Sequence, residues 1–471
     1  MAETEIKSDV LVIGAGPGGY VCAIRLAQLG KKVAVVEKAG IGGVCLNEGC
    51  IPSKALIHAS EFFYETKKAE RFGLKCEGVS VDAKKLQEWK NGIVGRLSRG
   101  IGFLFKKHGV VLLNGAAEFD SKQSAVVKTE NGMRRVAFEK AVIATGSYPI
   151  EIPGFEFSKE IVFSAKETLD LDFIPKNLVV VGGGYIGVEL GTAFANFGSK
   201  VSIIESHHHI LPSADADVID VVMKRLNELN VDVFVGAKAK RLIEENGMAR
   251  VIVEPKEGNA FEVDSDRVLV SVGRRPLTKG LGLEKAGVAL DEKGFVEVDE
   301  SFRTSNKNVF AIGDIIGGMM LAHKASAEGK ALAEIICGKK AAVPKIIPAV
   351  IYGNPEVAMA GLTEREAQEK KIGYLLGKFP MIASGRALTA NSYSGFVKVL
   401  ADKKSHKLLG VQIVCSNASE MIGEACLALE KRLKLEDVVE TVHPHPSLSE
   451  ALMEACENAL GKSVHVQNEK K

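Results

Sequence analysis

The sequence predicts an α/β protein in which one dinucleotide-binding domain is inserted into another, followed by a smaller α+β domain. Three observations carry this. A glycine-rich strand–turn–helix–strand unit occurs twice at one fixed offset, a third strand ending in an acid follows the second unit, and the pattern changes from Ile346 onward.

The first unit opens with the apolar run Asp9-Val10-Leu11-Val12-Ile13, continues through Gly14-Ala15-Gly16-Pro17-Gly18-Gly19 into an Ala-rich helix ending near Gly30, and closes with a strand over Lys32–Glu37. Gly14 makes the tight turn, Gly16 lets backbone N–H groups approach a pyrophosphate at the helix N-terminus, and Gly19 lets helix and strand pack closely. Glu37 then accepts the ribose hydroxyls. The second unit runs from Leu178–Val181 through Gly182-Gly183-Gly184-Tyr185-Ile186-Gly187, a helix to Phe197 and a strand over Lys200–Glu205. Gly182 lies 168 residues after Gly14, and Glu205 lies 168 after Glu37, so glycines and acid shift together as a true repeat does. A carboxylate at the ribose favours a free 2′-hydroxyl, so Glu205 selects NAD over NADP.

Each unit has a later strand that ends in glycine, which returns Thr145, Gly146 and Ser147 to the first nucleotide side and Gly273 to the second. The segment Asn308–Asp314 is a further strand, followed by a helix over Met320–Ile336. Because it comes after the second unit, the second domain reads as an insertion into the first. Asp314 then faces the first cofactor's hydroxyls or, as the simpler alternative, caps the turn that follows. The expected divisions are 1–148, 149–276, 277–346 and 347–471.

Cys45 and Cys50 follow the first unit at a distance where a second loop can pass the cofactor. An undistorted helix holds residues i and i+5 about 8.6 Å apart at Cα, beyond the roughly 7 Å limit for a disulfide. A closed pair therefore needs a bend, and Gly49 permits one. Taken alone, the spacing fits equally well two unrelated buried thiols. The other six cysteines, Cys22, Cys76, Cys337, Cys415, Cys426 and Cys456, lack metal-ligand spacing and read as packed thiols. His207-His208-His209 has no supporting acid or cysteine pattern and reads as a solvated loop, so no metal site is expected.

With 471 residues the chain exceeds one core, and 46% hydrophobic residues is ordinary for a globular protein. A net charge of +2 with dispersed basic residues gives no case for nucleic acid. The acidic start and the lack of any long apolar run point to a cytoplasmic protein without a membrane span.

The segment 277–346 completes the first nucleotide site, so the third domain is 347–471; it has strands over Val357–Gly361, Gly395–Leu400 and Leu408–Val414 and carries Thr441-Val442-His443-Pro444-His445-Pro446-Ser447-Leu448-Ser449-Glu450 towards its end. Two prolines hold the backbone around His445, and Glu450 starts or precedes the last helix. A rigid His oriented by a carboxylate is the arrangement of a general base; a His that merely caps the helix is the plainer reading.

Together these residues resemble the flavin-dependent disulfide oxidoreductases, and end to end the dihydrolipoamide dehydrogenase group within them. The resemblance rests on Gly-Gly-Val-Cys-Leu-Asn-Glu-Gly-Cys-Ile-Pro-Ser-Lys at 42–54 and His-Pro-His-Pro-Ser-Leu-Ser-Glu at 443–450. It implies two Rossmann-like domains with FAD on the first and NAD on the second, and a C-terminal dimerisation domain. It further implies that His445, oriented by Glu450, serves the partner subunit's disulfide. Lys54 and Glu189 are to pair near the flavin, with Gly115, Asp314 and Ala322 along FAD. The implied partners are a second copy of the chain and either the lipoyl-bearing acyltransferases of 2-oxo acid dehydrogenase complexes or the glycine-cleavage lipoyl carrier.

Val44 and Ser447 stand where the group commonly has Thr, and Tyr185 where it usually has an aliphatic residue. A Tyr at that place is similar to glutathione reductases, the alternative reading, but Glu205 and the wording around Cys50 stand against it. A scaffold subunit, the alternative of another class, would need an added module, for which the seven residues before Ser8 are too short.

Overall fold

The computed structural model describes residues 5–158, 160–245, 248–343 and 345–468; the acidic start at 1–4 and the end at 469–471 lie outside them. In the first sheet the parallel strands Val111–Asn114, Val33–Glu37, Ile6–Ile13 and Gly132–Ile143 lie side by side. Val10 to Ile13 are at most 3% exposed, because the sheet is covered on both faces; hence the unbroken apolar run.

Strand Gly132–Ile143 has 12 residues and uses its outer edge twice. Its first half pairs antiparallel with Ser124–Thr129, and Ala141–Ile143 pairs parallel with Val309–Ala311. The chain thus leaves the first sheet at Ile143, builds the second unit, and returns 166 residues later at Val309. The helix that follows runs over Ala322–Ile336, starting two residues later than the sequence suggests. It lies against the first-unit helix Pro17–Gln28 at glycine contacts, since a Cβ at Gly329 would fall 2.5 Å from the Gly18 carbonyl oxygen.

The second unit is a five-stranded parallel sheet in the order Asp232–Val235, Lys200–Glu205, Asn177–Val181, Arg267–Val270, Val162–Phe163. Strands Ser147–Pro149 and Arg274–Pro276 pair antiparallel between the two units.

The third domain is a five-stranded antiparallel sheet, with Glu356–Gly361, Leu408–Cys415, Phe396–Asp402 and Tyr374–Pro380 adjacent in that order after Ala349–Ile351. Alternation splits its side chains between two cores. Val397, Val399 and Ala401 pack on the domain's own helices, Ala418–Glu430 and Glu450–Leu460 among them. Phe396, Val357, Met359 and Val414 instead pack with Leu178, Val180 and Ile203 of the second unit. Among the described residues no helix is long and apolar enough to cross a membrane.

Candidate active site

The two glycine turns are built alike. Gly14 and Gly182 have φ of +100° and +110°, the left-handed region that only glycine enters freely, and a Cβ on either would fall 2.3 Å and 2.6 Å from the carbonyl oxygens of Ala144 and Ser271. At Gly19 and Gly187 a Cβ would strike the turn's own carbonyl oxygen at 1.9 and 2.0 Å. Gly16 and Gly184 differ: a Cβ would meet only Gly43 Cα at 4.0 Å in the first case and nothing within 4 Å in the second. These two sit as uncapped N-termini of helices Pro17–Gln28 and Tyr185–Phe197, whose first N–H groups have no side-chain acceptor. Open space before free, aligned donors is what a pyrophosphate requires, so both turns fit a dinucleotide.

The acids repeat as well. Glu37 accepts from Ala15 N at 2.7 Å and Ala39 N at 2.8 Å; Glu205 accepts from Gly183 N at 2.6 Å and His207 N at 2.7 Å. Each of these backbone donors is again displaced by 168, and both carboxylates are thereby fixed at the strand end beside their turn. The histidines at 207–209 lie in a loop, and no cluster able to hold a metal occurs among the described residues.

Cys45 and Cys50 form a disulfide with Cα atoms 4.6 Å apart. The closeness comes from a break: helix Gly43–Glu48 ends at Gly49 and a new helix runs over Cys50–Lys67. A Cβ at Gly49 would sit 3.1 Å from the Val44 carbonyl oxygen, which explains the glycine inside the loop. The loop is seated on the first nucleotide turn, since a Cβ at Gly43 would lie 2.6 Å from Gly16 Cα and Gly42 N donates to Ala15 O at 2.8 Å. Of the other cysteines, Cys22, Cys415 and Cys456 are buried, and burial pushes their thiols up. Cys76 departs from the expected packing and is exposed, because the chain around it runs as an unpaired loop.

One turn after Cys50, Lys54 Nζ lies 2.9 Å from Glu189 Oε2 of the second-unit helix. The other oxygen of Glu189 accepts from Tyr352 N at 2.9 Å, and Lys54 also rests 4.3 Å from the Tyr352 ring centre. Burial raises the Glu189 pKa, and the Lys54 ammonium and Tyr352 N–H only partly oppose it. Three domains meet at this pair. Tyr352 was not anticipated: its bond to Glu189 is made by a backbone N–H, which leaves no trace in residue type, and its ring meets Lys54 from almost 300 residues away.

Asp314 lies in the short 3-10 turn Gly313–Ile316 and does not cap it with its side chain; it accepts from Ser147 Oγ at 2.6 Å. Arg274 donates to Ser147 Oγ and Ser147 O, both at 2.7 Å, a second contact that sequence alone did not single out. Thr145 Oγ1 donates to Leu277 O at 2.9 Å, and Leu277 N donates to Gly146 O at 2.9 Å. Gly273 accepts from Ile150 N at 3.1 Å. Gly115 N donates to Glu37 O at 2.8 Å, and Ala322 opens its helix without a side-chain cap. Tyr185 and Ile186 begin the second-unit helix, with Tyr185 partly exposed.

His445 Nδ1 lies 2.8 Å from Glu450 Oε1, and Glu450 Oε2 accepts from Ser447 N at 2.7 Å. Burial pushes the Glu450 carboxyl up, but the Ser447 N–H and His445 outweigh it and hold the group below its usual range. A carboxylate at Nδ1 fixes the proton there and leaves Nε2 as the acceptor. The neighbouring His443 is different: its side chain is 5% exposed and bonded to Glu424 at 2.9 Å, whereas that of His445 is 78% exposed. No hydrogen bond or ion pair among the described residues joins His445 or Glu450 to Cys45 or Cys50 of the same chain.

Comparison with known proteins agrees with this geometry. The family model described as pyridine nucleotide-disulphide oxidoreductase matches residues 8–329, and that of the family's dimerisation domain matches 347–456. The chain is 47% identical over 462 residues to dihydrolipoyl dehydrogenase of Geobacillus stearothermophilus, covering 98% of each chain. It is 45% identical over 476 residues to dihydrolipoyl dehydrogenase 3 of Haloarcula marismortui, covering 99% of this chain and all of the other. Among solved structures, LpdA of Mycobacterium tuberculosis superposes with a TM-score of 0.89 at 25% identity, over 96% of this chain and 99% of that one. The HOCl-induced flavoprotein disulfide reductase of Escherichia coli gives 0.85 at 28%, over 95% and 99%. With both models matched and relatives of this identity spanning nearly its whole length, the chain belongs to the pyridine nucleotide-disulphide oxidoreductase family.

Proposed function

We propose that this chain is an NAD-dependent dihydrolipoyl dehydrogenase that reoxidises protein-bound dihydrolipoyl groups, with FAD on the first dinucleotide unit and NAD on the second. The observation that carries the reading is the Cys45–Cys50 disulfide, closed across the break at Gly49 on a loop seated against the Gly14–Gly19 turn. Full-length relatives named dihydrolipoyl dehydrogenase support it. When bound, FAD supplies an acceptor for the electron pair of the reduced cysteines and NAD⁺ takes that pair onward as hydride.

The chain's own residues then act as follows. His445 Nε2 takes the proton of the first substrate thiol while Glu450 holds Nδ1–H. The substrate thiolate bonds to Cys45 Sγ, the Cys45–Cys50 bond breaks, and its electron pair leaves on Cys50 as thiolate. The second substrate thiol then attacks the substrate sulfur joined to Cys45 and closes the cyclic disulfide; the bonding pair and this thiol's proton leave on Cys45, so that the first proton rests on His445 and the second on Cys45. The substrate loses two electrons and two protons. The cysteine pair gains the electrons.

The dimerisation domain supports a homodimer. In our reading the exposed His445 reaches Cys45 of the partner subunit, so each dimer has two shared sites. The lipoyl carriers are those of 2-oxo acid dehydrogenase acyltransferases, of the glycine-cleavage system, or of both, and the protein works in the cytoplasm. We keep the domain divisions at 148, 276 and 346, with the 277–346 segment completing the first nucleotide site. The assay that tests the function is NADH formation from dihydrolipoamide and NAD⁺; activity confined to NADPH and glutathione disulfide would favour the glutathione-reductase reading.

Glu205 is expected to set nucleotide choice, because its buried carboxylate would face a 2′-phosphate as a like charge. kcat/KM for NAD⁺ should exceed that for NADP⁺ by orders of magnitude; equal values would mean that Glu205 does not meet the ribose. Tyr185 is expected to act as a lid over the flavin face that nicotinamide occupies, from its place at the start of the second-unit helix. Tyr185→Val should keep FAD and NAD preference, change KM for NAD⁺, and raise oxidase activity with O₂. If hydride transfer, KM and oxidase rate are all unchanged, the Tyr is packing only.

A further inference from the structure

Lys398 sits in the middle of strand Phe396–Asp402, on the face of the third-domain sheet that turns to the second unit, and its side chain is 1% exposed. Its Nζ lies 2.9 Å from Asp215 Oδ2, 2.8 Å from Asp217 Oδ1 and 3.6 Å from Glu364 Oε2. Asp215 also accepts from Gln412 Nε2 at 2.8 Å and from the backbone N–H groups of Glu364 at 3.0 Å and Arg365 at 3.2 Å. Asp217 accepts from Lys378 Nζ at 2.7 Å. An ion pair as buried as Lys398 and Asp215, 1% and 7% exposed, is a weak way to add stability compared with apolar packing of the same volume; its attested use is to fix one register against another.

What it fixes is the segment before Asp215, which crosses the second nucleotide turn. Leu211 N donates to Gly183 O at 2.9 Å, and a Cβ on Gly183 would lie 2.8 Å from Ile210 Cγ2, so the segment walls the turn directly. Leu211 is buried with φ of +50°, an uncommon conformation for a bulky residue that persists only where its surroundings impose it. The imposing groups come from the third domain: Arg365 Nη2 holds Pro212 O at 2.9 Å, and Lys398 holds Asp215 and Asp217.

We infer that Lys398 is a positioning residue for the pyridine nucleotide: from the dimerisation domain, through Asp215 and Asp217, it holds the 210–217 segment and with it the Gly182–Gly187 turn in the nucleotide-binding geometry. The inference rests on the reading of the second unit as the NAD site. It makes the third domain a part of nucleotide binding as well as of pairing between copies.

The test uses the full-length holoenzyme as Lys398→Met and as the triple variant Lys398→Met, Asp215→Asn, Asp217→Asn, which leaves no carboxylate of the pair unpaired. In both, KM for NAD⁺ should rise about tenfold or more, since small misplacements of a binding element carry penalties of that order. The rate at which dihydrolipoamide reduces the enzyme in the absence of NAD⁺ should stay within about twofold, because that half-reaction involves no pyridine nucleotide. A residue that only held the fold would lower thermal stability and leave KM of the folded enzyme unchanged. If Lys398→Met does not fold, the triple variant decides. A KM for NAD⁺ in the triple variant equal to wild type overturns the inference alone, whereas a wild-type enzyme that is reduced by dihydrolipoamide but never binds NAD⁺ overturns the NAD reading and the inference with it.

Discussion

Cys45→Ser is expected to abolish oxidation of dihydrolipoamide while leaving FAD bound and NADH-dependent reduction of artificial acceptors intact. Cys45 is assigned the mixed disulfide with substrate, and a serine oxygen cannot form that bond or leave again as a thiolate. The fold should tolerate the change. Helix Gly43–Glu48 is held by Asn47, whose amide donates to Gly43 O at 2.9 Å and Ile41 O at 3.2 Å, and by Gly42 on Ala15, none of which involves the disulfide. Nothing in the substitution touches either glycine turn. Turnover of dihydrolipoamide by the variant at more than a trace rate would remove the disulfide from the reaction.

His445→Gln should lower dihydrolipoamide turnover by about 10²–10⁴-fold, the loss of a general base, with diaphorase activity unaffected. Glu450→Gln should cost less, since Glu450 orients the imidazole and the one carbonyl oxygen left in the variant would still accept from the Ser447 N–H. The Glu450 carboxylate stays ionised well into acid because its pKa is held down, so its support of His445 is present at neutral pH and fades only as pH falls through that lowered value. Subunit exchange between the His445→Gln and Cys45→Ser proteins should restore activity, as a hybrid dimer regains one intact site. No recovery after verified exchange would place both groups of a site in one chain.

The parts of this protein that could be read in sequence are those where the backbone demands a residue type. Gly14 and Gly182 need positive φ, Gly19 and Gly187 need the absence of a Cβ, and the two acids need their place at a strand end; each demand is written as an identity at a fixed spacing, and written twice. The bend at Gly49 was legible for the same reason. What was hidden depends on long-range approach. Lys54 meets Glu189 across 135 residues and Tyr352 approaches Glu189 across 163, pairings that no local pattern encodes; only resemblance suggested the first. Lys398 left a visible signal, a cation inside an apolar strand, yet alternation alone reads it as facing solvent. A second domain covers that face, and the sequence of one strand cannot say so. For Asp314 the sequence offered either the first cofactor's hydroxyls or a cap, and its bond from Ser147, 167 residues away, is of the same long-range kind.

The central claim is that dihydrolipoyl thiols exchange with Cys45–Cys50, and anaerobic single-turnover alkylation tests it most directly. Purified holoenzyme mixed with dihydrolipoamide without NAD⁺, quenched with a thiol alkylator and mapped by mass spectrometry, should carry label on both Cys45 and Cys50 that is absent before mixing. Adding NAD⁺ before the quench should erase that label as NADH appears. Unlabelled Cys45 and Cys50 in enzyme that still forms NADH from dihydrolipoamide would contradict the account.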